Sequence, residues 1–463
     1  MRGIGAFIAC ASALVALSGL LTSEAAGTPA RGQPVAVERG ASPQAVSVVP
    51  IIGAQMSGLV SERGLEQARG AGLQWARVLI TWKTIEPSEG VFNWSALDYR
   101  LSGALVNGIS VIGTITSIPD WAGEKENGYV VRVAPAKVGA YQHFLREVAS
   151  RGLAKGYNIR YWEILNEVDN TDAAYATHVS SAYGRQPAMY ADLLKASREA
   201  ITSVDPSAKV AFGGLAMENL GRFSPTFADQ VFATIQSRGS NGSDYFDAMN
   251  VHLYPYFSIV RWSGPDYGSL PGLMGKVGYV KQLMANHGID KPVLLTETSM
   301  TVGNPKPDAE QQAAWAVQVY VLGVAAGTPA VVWFTLSDNV CIIEQPSGLL
   351  DANWNPRPAY WATRYLASRL QGATYLGPSA GLQVLSGRAA GFAFSQAGTP
   401  FHVVWGEWTD YTGQDGPLGG EAVVTLPGTY ARVRDMYGGN EHIILGSEGV
   451  VTLWLSYQPL YVE

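Results

Sequence analysis

The chain has 463 residues, of which 47% are hydrophobic and 15% are charged. This composition is typical of a globular protein and excludes a largely disordered chain. Because 463 residues exceed the usual size of one domain, the sequence predicts a large domain with a smaller one beside it. The formal net charge of −6 argues against a polyanionic partner, so no nucleic acid partner is expected.

The N-terminal segment has the pattern of a secretory signal. Arg2 precedes an apolar run over residues 4–21, and the small-residue sequence Ser23-Glu24-Ala25 follows it. This predicts a cleaved signal peptide over residues 1–25, a secreted protein that is extracellular or periplasmic, and no stable membrane insertion after signal removal. An uncleaved membrane anchor is the alternative, because the run reaches the lower limit of spanning length. Residues 26–46 show no periodicity and predict a linker.

Eight apolar, strand-like runs alternate with helical patterns in the next part of the chain. They cover residues 48–54, 75–81, 110–116, 160–166, 209–215, 248–254, 292–297 and 330–335. Strands that are apolar on both faces and separated by helices indicate a parallel α/β sheet. Eight such units predict a (β/α)₈ TIM barrel over residues 47–370. An open doubly wound sheet is the alternative, but no Gly-rich dinucleotide-binding fingerprint follows the first run.

After about residue 370 the hydrophobic pattern changes to short runs of alternating apolar and polar residues that Gly and Pro interrupt. This pattern predicts a smaller C-terminal antiparallel β-sandwich domain over residues 371–463. Its Trp405 and Trp408 are expected to pack against the barrel, with glycan binding as the alternative.

Two glutamates each stand at the end of a predicted strand. Residues 159–170 read IRYWEILNEVDN and carry Glu167, whereas residues 292–299 read PVLLTETS and carry Glu297. In a barrel, the carboxyl ends of the strands face the active site. A pair of acids there suits glycoside hydrolysis, in which one carboxyl protonates the leaving oxygen and the other attacks or activates water. Asn440-Glu441 lies in a turn of the β-rich tail, and no role is expected for it.

Glu163 shares its strand parity with Glu167 and should therefore point into the barrel. A buried acid needs a partner, and Arg77 on the second run is a candidate. The favoured interpretation is a buried Arg77-Glu163 pair that braces the barrel. The alternative is that Arg77 reaches Glu297 and keeps it ionised.

The sixth run alternates polar and apolar residues, which puts Asn250, His252 and Tyr254 on one face. A polar row at the mouth of a barrel favours a binding site, although a single buried histidine is more often a satisfied core residue. Three tryptophans are candidate sugar platforms, with simple packing as the alternative: Trp82, Trp121 and Trp333.

Other chemistries lack their sequence signatures. The six histidines are scattered, with no His-Glu-x-x-His motif and no paired cysteines, so no metal is expected. The chain also has no Gly-x-Ser-x-Gly elbow and no phosphate-binding Gly-Lys-Ser/Thr loop. The sequence therefore predicts an enzyme without a cofactor.

Taken together, the motifs resemble glycoside hydrolase clan A. They are WKTIEPSEGVFNWSALD over residues 82–98, WEILNE on the fourth strand, HLY on the sixth, TE on the seventh and Trp333 on the eighth. The barrel followed by a sandwich, with LSYQPLYV over residues 455–462, is most similar to family 39. The resemblance implies that Glu167 is the general acid/base and Glu297 the nucleophile. It also implies that Asn166 binds the 2-hydroxyl of the sugar and that Tyr254 hydrogen-bonds the nucleophile.

One departure concerns the third strand, where many clan members carry a histidine. Here Thr114, Thr116 and Ser117 occupy that stretch. The identity of the sugar in the inner subsite therefore does not follow from the resemblance.

The sequence thus predicts a secreted retaining glycoside hydrolase that cleaves a polysaccharide or oligosaccharide by double displacement. Its two carboxyl groups should lie about 5 to 5.5 Å apart. A non-catalytic carbohydrate-binding protein on the same barrel is one alternative, and a transglycosidase that uses the same two glutamates is another. Long loops above the barrel decide the choice of sugar, and four aromatic residues in them are candidates to line the groove: Tyr256, Trp262, Tyr267 and Trp354.

Overall fold

The computed structural model describes residues 46–48, 51–56, 62–175, 181–217, 221–254, 272–303, 307–339, 346–412 and 416–463. The predicted signal peptide and nearly all of the predicted linker lie outside these residues, as do Tyr256, Trp262 and Tyr267. Within the described ranges, no helix combines the length and the apolar character that a membrane crossing requires.

Eight parallel strands form the larger unit. They are β2 (Ile52–Gln55), β3 (Trp75–Thr81), β4 (Ser110–Thr116), β7 (Ile159–Ile164), β8 (Lys209–Ala211), β9 (Met249–His252), β10 (Val293–Thr298) and β11 (Val331–Trp333). The sheet runs in the order β8-β7-β4-β3-β2-β11-β10-β9. Parallel bridges between Ala211 and Ala248 and between Leu215 and Val251 join its two ends. The predicted (β/α)₈ barrel is therefore confirmed, and the open doubly wound sheet is wrong.

Helices surround the barrel. They are α1 (Glu62–Gly70), α2 (Trp82–Ile85), α3 (Ser95–Val106), α4 (Val138–Lys155), α5 (Pro187–Thr202), α6 (Phe227–Ser237), α7 (Gly272–Asn286), α8 (Ala309–Ala326) and α9 (Pro358–Leu370). A hairpin of β5 (Gly123–Glu126) and β6 (Tyr129–Val133) is inserted after β4. Short 3₁₀ turns lie at Pro135–Lys137 and Ala173–Tyr175.

The barrel interior is apolar at one level and polar at the next. The apolar level consists of Ile112, Ala211, Ala248, Leu294, Ala330 and Val332, all fully buried. The next level toward the carboxyl ends of the strands holds Gln55, Arg77, Glu163, Asn250 and Thr296, which are buried as well. Side chains from different strands fill such a barrel in layers, so the polar layer forms the floor of any site at the mouth.

The C-terminal part is the predicted antiparallel sandwich. Its strands are β1 (Val46–Ser47), β12 (Ala373–Pro378), β13 (Gln383–Gly387), β14 (Ala389–Gln396), β15 (Thr399–Gly406), β16 (Trp408–Thr412), β17 (Gly416–Gly419), β18 (Ala422–Pro427), β19 (Tyr430–Arg434), β20 (His442–Leu445), β21 (Val450–Leu455) and β22 (Leu460–Val462). One sheet runs in the order β1-β12-β14-β15-β22-β19-β20 and the other in the order β13-β18-β21. Between them lies a separate apolar core that includes Val404, Val424, Val433 and Leu453.

The sandwich packs against helices α8 and α9 of the barrel. Trp408 stacks on Trp315 of α8 with the ring centroids 6.0 Å apart, and Tyr461 meets Tyr365 of α9 edge to face at 4.8 Å. Trp405 is buried too, stacked on Phe392. The packing against the barrel that was expected of Trp408 is therefore present, whereas the ring contact of Trp405 is with a residue of the sandwich itself.

Candidate active site

Glu167 stands on a sharp turn directly after β7. The turn is made by two non-glycine residues with left-handed backbone, Leu165 with φ 64° and Glu167 with φ 45°. Such conformations cost about 1 to 3 kcal/mol and persist only where the surroundings impose them. Here Asn166 forms a parallel bridge to Gly214 beyond β8, and Leu165 is fully buried. The apolar strand therefore aims the Glu167 carboxylate at the mouth of the barrel.

Glu297 reaches the same mouth from β10. A carboxyl oxygen of Glu167 and one of Glu297 lie within 4.8 Å of each other, and both side chains are almost fully buried. Two carboxylates at this separation match the spacing of about 5 to 5.5 Å in retaining glycosidases, rather than the roughly 6.5 to 9.5 Å that leaves room for water in inverting enzymes.

Arg77 holds the nucleophile candidate and the barrel floor together. Its Nη1 donates to Glu297 Oε1 at 2.5 Å, while Nε and Nη2 donate to both oxygens of Glu163 at 2.8 and 2.9 Å. Nη2 also donates to Asn166 Oδ1 at 2.5 Å. The two alternatives for Arg77 are therefore both present: the guanidinium pairs with Glu163 and with Glu297 at the same time.

The buried carboxylate of Glu163 is satisfied by hydrogen-bond donors below the mouth of the barrel. Besides Arg77, its carboxylate accepts from Thr114 Oγ1 at 2.6 Å, from the backbone N–H of Gly214 at 3.1 Å and from Thr296 Oγ1 at 3.3 Å. Burial of a carboxylate is costly unless it is paired and hydrogen-bonded, and Glu163 has both kinds of partner. Glu163 is therefore a structural acid beneath the site.

The surroundings of Glu297 favour its charged form. Burial raises the pKa of the Glu297 carboxyl, but the charges of His252 and Arg77 and the hydrogen bond from Tyr254 lower it by more, so the net shift is downward. The Tyr254 hydroxyl donates to Glu297 Oε2 at 2.7 Å. An ionised Glu297 is the state that a nucleophile requires.

His252 lies between the two acids. Its Nδ1 is 3.5 Å from Glu167 Oε1 and 3.6 Å from Glu297 Oε2, both longer than ordinary hydrogen bonds. Burial lowers the pKa of His252, but the charges of Glu297 and Glu167 raise it by more. The ring fits there because position 214 is glycine: a Cβ on Gly214 would lie 2.1 Å from His252 Nε2.

Three further residues support the site without having been expected from the sequence. Tyr175 lies near Glu167, and burial together with the negative charge of Glu167 raises the pKa of its hydroxyl. Asp169 accepts from the backbone N–H groups of Ala216 and Met217 at 3.2 and 2.8 Å, and burial raises its pKa to about 7. Buried Lys276 of α7 donates to the carbonyls of Ala216 and His252 at 2.7 and 2.6 Å. No local motif marks these residues, because each acts on a group that only the fold brings close to it.

Two of the proposed sugar platforms are corrected by the structure. Trp82 is completely buried, where it stacks on Phe144 and donates from Nε1 to Glu86 at 2.7 Å. Trp333 is completely buried as well, with Nε1 donating to the carbonyl of Ser347 at 2.8 Å. The rings of Trp121, Tyr141 and Phe144 enclose Trp82, and neither Trp82 nor Trp333 has exposed surface for a ligand. A position at the end of a strand does not by itself predict whether an aromatic residue is buried in the core or exposed to a ligand.

The other predicted site residues lie at or near the mouth. Trp121 is half-buried, and Lys137 Nζ lies 5.3 Å from its ring centre. Trp354 is half-buried too. Among the described residues, Thr116 on the third barrel strand carries a buried hydroxyl without a hydrogen-bond partner. Contact of Trp121 or Trp354 with a sugar stays a prediction.

Glu167, His252 and Glu297 also present three potential metal-ligand atoms within 4.8 Å of one another. The Arg77 guanidinium already contacts Glu297 at 2.5 Å, and its positive charge would repel a cation bound there. The donor set is therefore better matched to acid–base and nucleophilic chemistry than to metal binding.

Comparison with known proteins agrees with this architecture. No protein-family model matches the chain. Among solved structures, a family 39 glycoside hydrolase from Bacteroides cellulosilyticus WH2 aligns with a TM-score of 0.65 at 19% identity, over 89% of this chain and 80% of that one. A monomeric β-xylosidase from Caulobacter crescentus CB15 aligns with a TM-score of 0.58 at 15% identity, over 90% and 97% of the two chains. A family 30 endoxylanase from Clostridium papyrosolvens C71 aligns with a TM-score of 0.57 at 14% identity, over 90% and 97%. The resemblance to these glycoside hydrolases is thus confirmed for the fold.

Proposed function

We propose that the protein is a retaining glycoside hydrolase. The observation that carries the proposal is the pair of buried carboxylates, Glu167 and Glu297, whose nearest oxygens lie within 4.8 Å at the mouth of a closed barrel. Arg77 pairs with Glu297 and the Tyr254 hydroxyl donates to it, and both contacts favour its ionised form. The proposed division of labour therefore makes Glu297 the nucleophile and Glu167 the proton donor.

In the proposed reaction, Glu297 attacks the anomeric carbon while Glu167 protonates the departing glycosidic oxygen. The bond to the leaving group breaks, and a glycosyl-enzyme ester forms on Glu297. Glu167, now ionised, then takes a proton from water as that water attacks the same carbon and releases Glu297. Tyr254 and Arg77 hold the two oxygens of Glu297 throughout, and Asn166 is oriented by Arg77 toward the sugar's 2-hydroxyl.

We further propose that the substrate is a polysaccharide or oligosaccharide encountered outside the cell. The apolar N-terminal segment with its small-residue cleavage sequence supports export. The similarity in fold to proteins named endoxylanase and β-xylosidase makes xylan and xylo-oligosaccharides the first substrates to test.

The first experiment screens a panel of polysaccharides, oligosaccharides and 4-nitrophenyl glycosides, with mass-spectrometric sizing of the products. NMR of the first-formed anomer then determines the stereochemistry, and retention is expected. An inverted first product would contradict the double displacement. Transfer to added acceptor sugars as the main outcome would favour a transglycosidase, whereas oligosaccharide binding without any product would favour a non-catalytic binding protein.

Two substitutions test the roles of the acids on a substrate that the panel identifies. Glu297→Ala should lower kcat by at least about 10⁴-fold. Glu167→Ala should lower it by about 10² to 10⁴-fold on a poor leaving group and by much less on 4-nitrophenolate, which departs without protonation. The control is Glu441→Ala, since Glu441 pairs with Arg434 on the sandwich surface. Full turnover by Glu297→Ala would disprove the assignment.

A further inference from the structure

The face of the barrel mouth next to Glu167 contains a polar pocket. It has a volume of about 490 Å³ and is lined mainly by Glu126, Asn127, Thr171, Asp172, Arg185 and Arg222. The volume falls within the range of about 300 to 1,000 Å³ typical of small-ligand sites. These residues come from three neighbouring loops that all follow the carboxyl ends of barrel strands, where ligands of this fold bind.

Backbone hydrogen bonds hold the pocket floor in place. The N–H and the hydroxyl of Thr171 both donate to the carbonyl of Arg222, at 2.7 and 2.8 Å. Asn170 and Phe223 form an antiparallel bridge, and the N–H of Gly184 donates to the carbonyl of Asn170 at 2.8 Å. Three chain segments are therefore joined into one surface, which needs no rearrangement to receive a ligand.

A short chain of contacts connects the pocket with Glu167. The Arg222 guanidinium lies over the ring of Tyr175, 4.6 Å from its centre, and Tyr175 is near enough to Glu167 for that charge to raise the pKa of its hydroxyl. On the other side, the N–H of Asn170, the neighbour of Thr171, donates to the carbonyl of Glu167 at 3.1 Å. The pocket thus begins one tyrosine ring away from the residue proposed to protonate the leaving oxygen. Whatever occupies it belongs to the leaving-group side of the scissile bond.

The charges of the lining select the class of ligand. Arg185 and Arg222 supply only hydrogen-bond donors, whereas Glu126 and Asp172 supply only acceptors. The two arginines and the two acids balance in formal charge, so the lining does not favour a ligand with a net charge of either sign. Sugar hydroxyls both donate and accept, so an uncharged glycosyl residue can use both sets.

We propose that this pocket is a leaving-group subsite that binds an uncharged glycosyl residue beyond the scissile bond. The proposal rests on the glycosidase function proposed above and narrows it, since the preferred substrate then extends past the sugar that Glu297 attacks. A substrate with only an aryl leaving group makes no use of the pocket.

The test compares two kinds of substrate built from the sugar that the panel identifies. One is its 4-nitrophenyl monoglycoside, and the other is the series of its neutral oligosaccharides of two to six units. In the wild type, kcat/KM should rise with length until the pocket is filled. Arg185→Ala should lower the ratio of kcat/KM for the longer oligosaccharide to that for the aryl glycoside by about tenfold, mainly through KM. Arg364→Ala, an exposed arginine on α9, should leave the ratio unchanged.

Asp172→Asn provides a second variant in case Arg185→Ala does not fold. It keeps the oxygen that accepts from the N–H of Ala174 and removes the charge, and we expect it to reduce the same ratio. An unchanged ratio in both folded variants, or a preference for uronate-containing oligosaccharides, would overturn the subsite while leaving the glycosidase intact. If the wild type cleaves no glycoside in the panel, the proposed function fails and the subsite fails with it.

Discussion

Arg77 is the residue on which the electrostatics of the site depends. One edge of its guanidinium pairs with Glu163 inside the barrel, and Nη1 reaches Glu297 at the mouth. A flat fork with donors on every side can do this, whereas the single ammonium of lysine cannot. The positive charge that favours an ionised nucleophile therefore belongs to a residue packed inside the barrel.

Tyr254 offers a milder way to test that electrostatic balance. Tyr254→Phe removes the hydrogen bond to Glu297 Oε2, one of the contacts that lower the pKa of this carboxyl. Loss of a contact that favours the charged form must raise the pKa, so the acidic limb of the kcat/KM profile should move upward by about one pH unit. Tyr430→Phe on the exposed sandwich surface is the control. A limb that stays in place would show that Tyr254 does not tune Glu297.

Gly214 tests whether the position of His252 matters. In Gly214→Ala the new methyl group would lie 2.1 Å from His252 Nε2, so the ring must leave its present position between the two acids. We expect kcat/KM to fall by about 100-fold, the usual cost of a misplacement near 1 Å. Gly278→Ala is the control, because a Cβ there meets nothing within 4 Å. Wild-type activity in folded Gly214→Ala would mean that His252 can be displaced without consequence.

The sequence was sufficient where the strand that carries or precedes a residue predicts the direction of its side chain. This holds for Arg77 on β3 and Glu297 on β10. It also holds for Glu167 and Tyr254, which lie just beyond the ends of β7 and β9. Tyr175 could not be found in this way, because its contact with Glu167 depends on how the following loop turns back. The same limit explains Trp82 and Trp333, whose burial is decided by neighbours from other elements.

At the scale of elements, helix α4 contains a matched pair of glycines. Gly156 ends the helix with φ 69°, and Gly139 lies in its first turn without an unusual backbone angle, while a Cβ at either position meets nothing within 4 Å. Gly156→Ala should destabilise the protein by about 1 kcal/mol, because alanine tolerates left-handed backbone poorly. Gly139→Ala should stabilise it by about 0.5 to 1 kcal/mol.

Urea unfolding of the two single variants beside the wild type checks this pair. The two midpoints should move in opposite directions. A shift in the same direction for both would mean that something other than backbone conformation controls the stability of this helix.

Strand boundaries show which elements the sequence could specify. The second and third barrel strands begin and end where their apolar runs do, at Trp75–Thr81 and Ser110–Thr116. The fifth strand was expected over residues 209–215 but ends at Ala211, and beyond it Gly214 and Leu215 pair with their neighbours through isolated bridges. Packing around His252 and the β7 turn sets that shape, and a single-strand pattern carries no information about either.

At the scale of the whole molecule, barrel and sandwich share an extensive apolar contact. Trp315 on α8 is 3% exposed because Trp408 covers it, and Gln318 donates to the carbonyl of Tyr457 at 2.7 Å. A chain that ends at residue 370 would expose this surface. We expect it to aggregate or to lose at least about 10 °C in Tm.

Thermal unfolding of the shortened chain and the full chain provides the comparison. Trp454→Ala is the control, since this side chain is 73% exposed on the sandwich and its loss should leave Tm unchanged. A soluble truncated barrel with the Tm of the full chain would show that the contact contributes little.

The short strand β1 shows that part of the sandwich can form only late in the synthesis of the chain. Val46 and Ser47 precede the barrel, yet their partners are Tyr375 and Thr374 of β12, which the ribosome delivers more than 300 residues later. The earliest strand of the structure must therefore wait, unpaired, while the entire barrel is synthesised. Its docking is a late event of biogenesis, and it fastens the leading segment to the last-made part of the molecule.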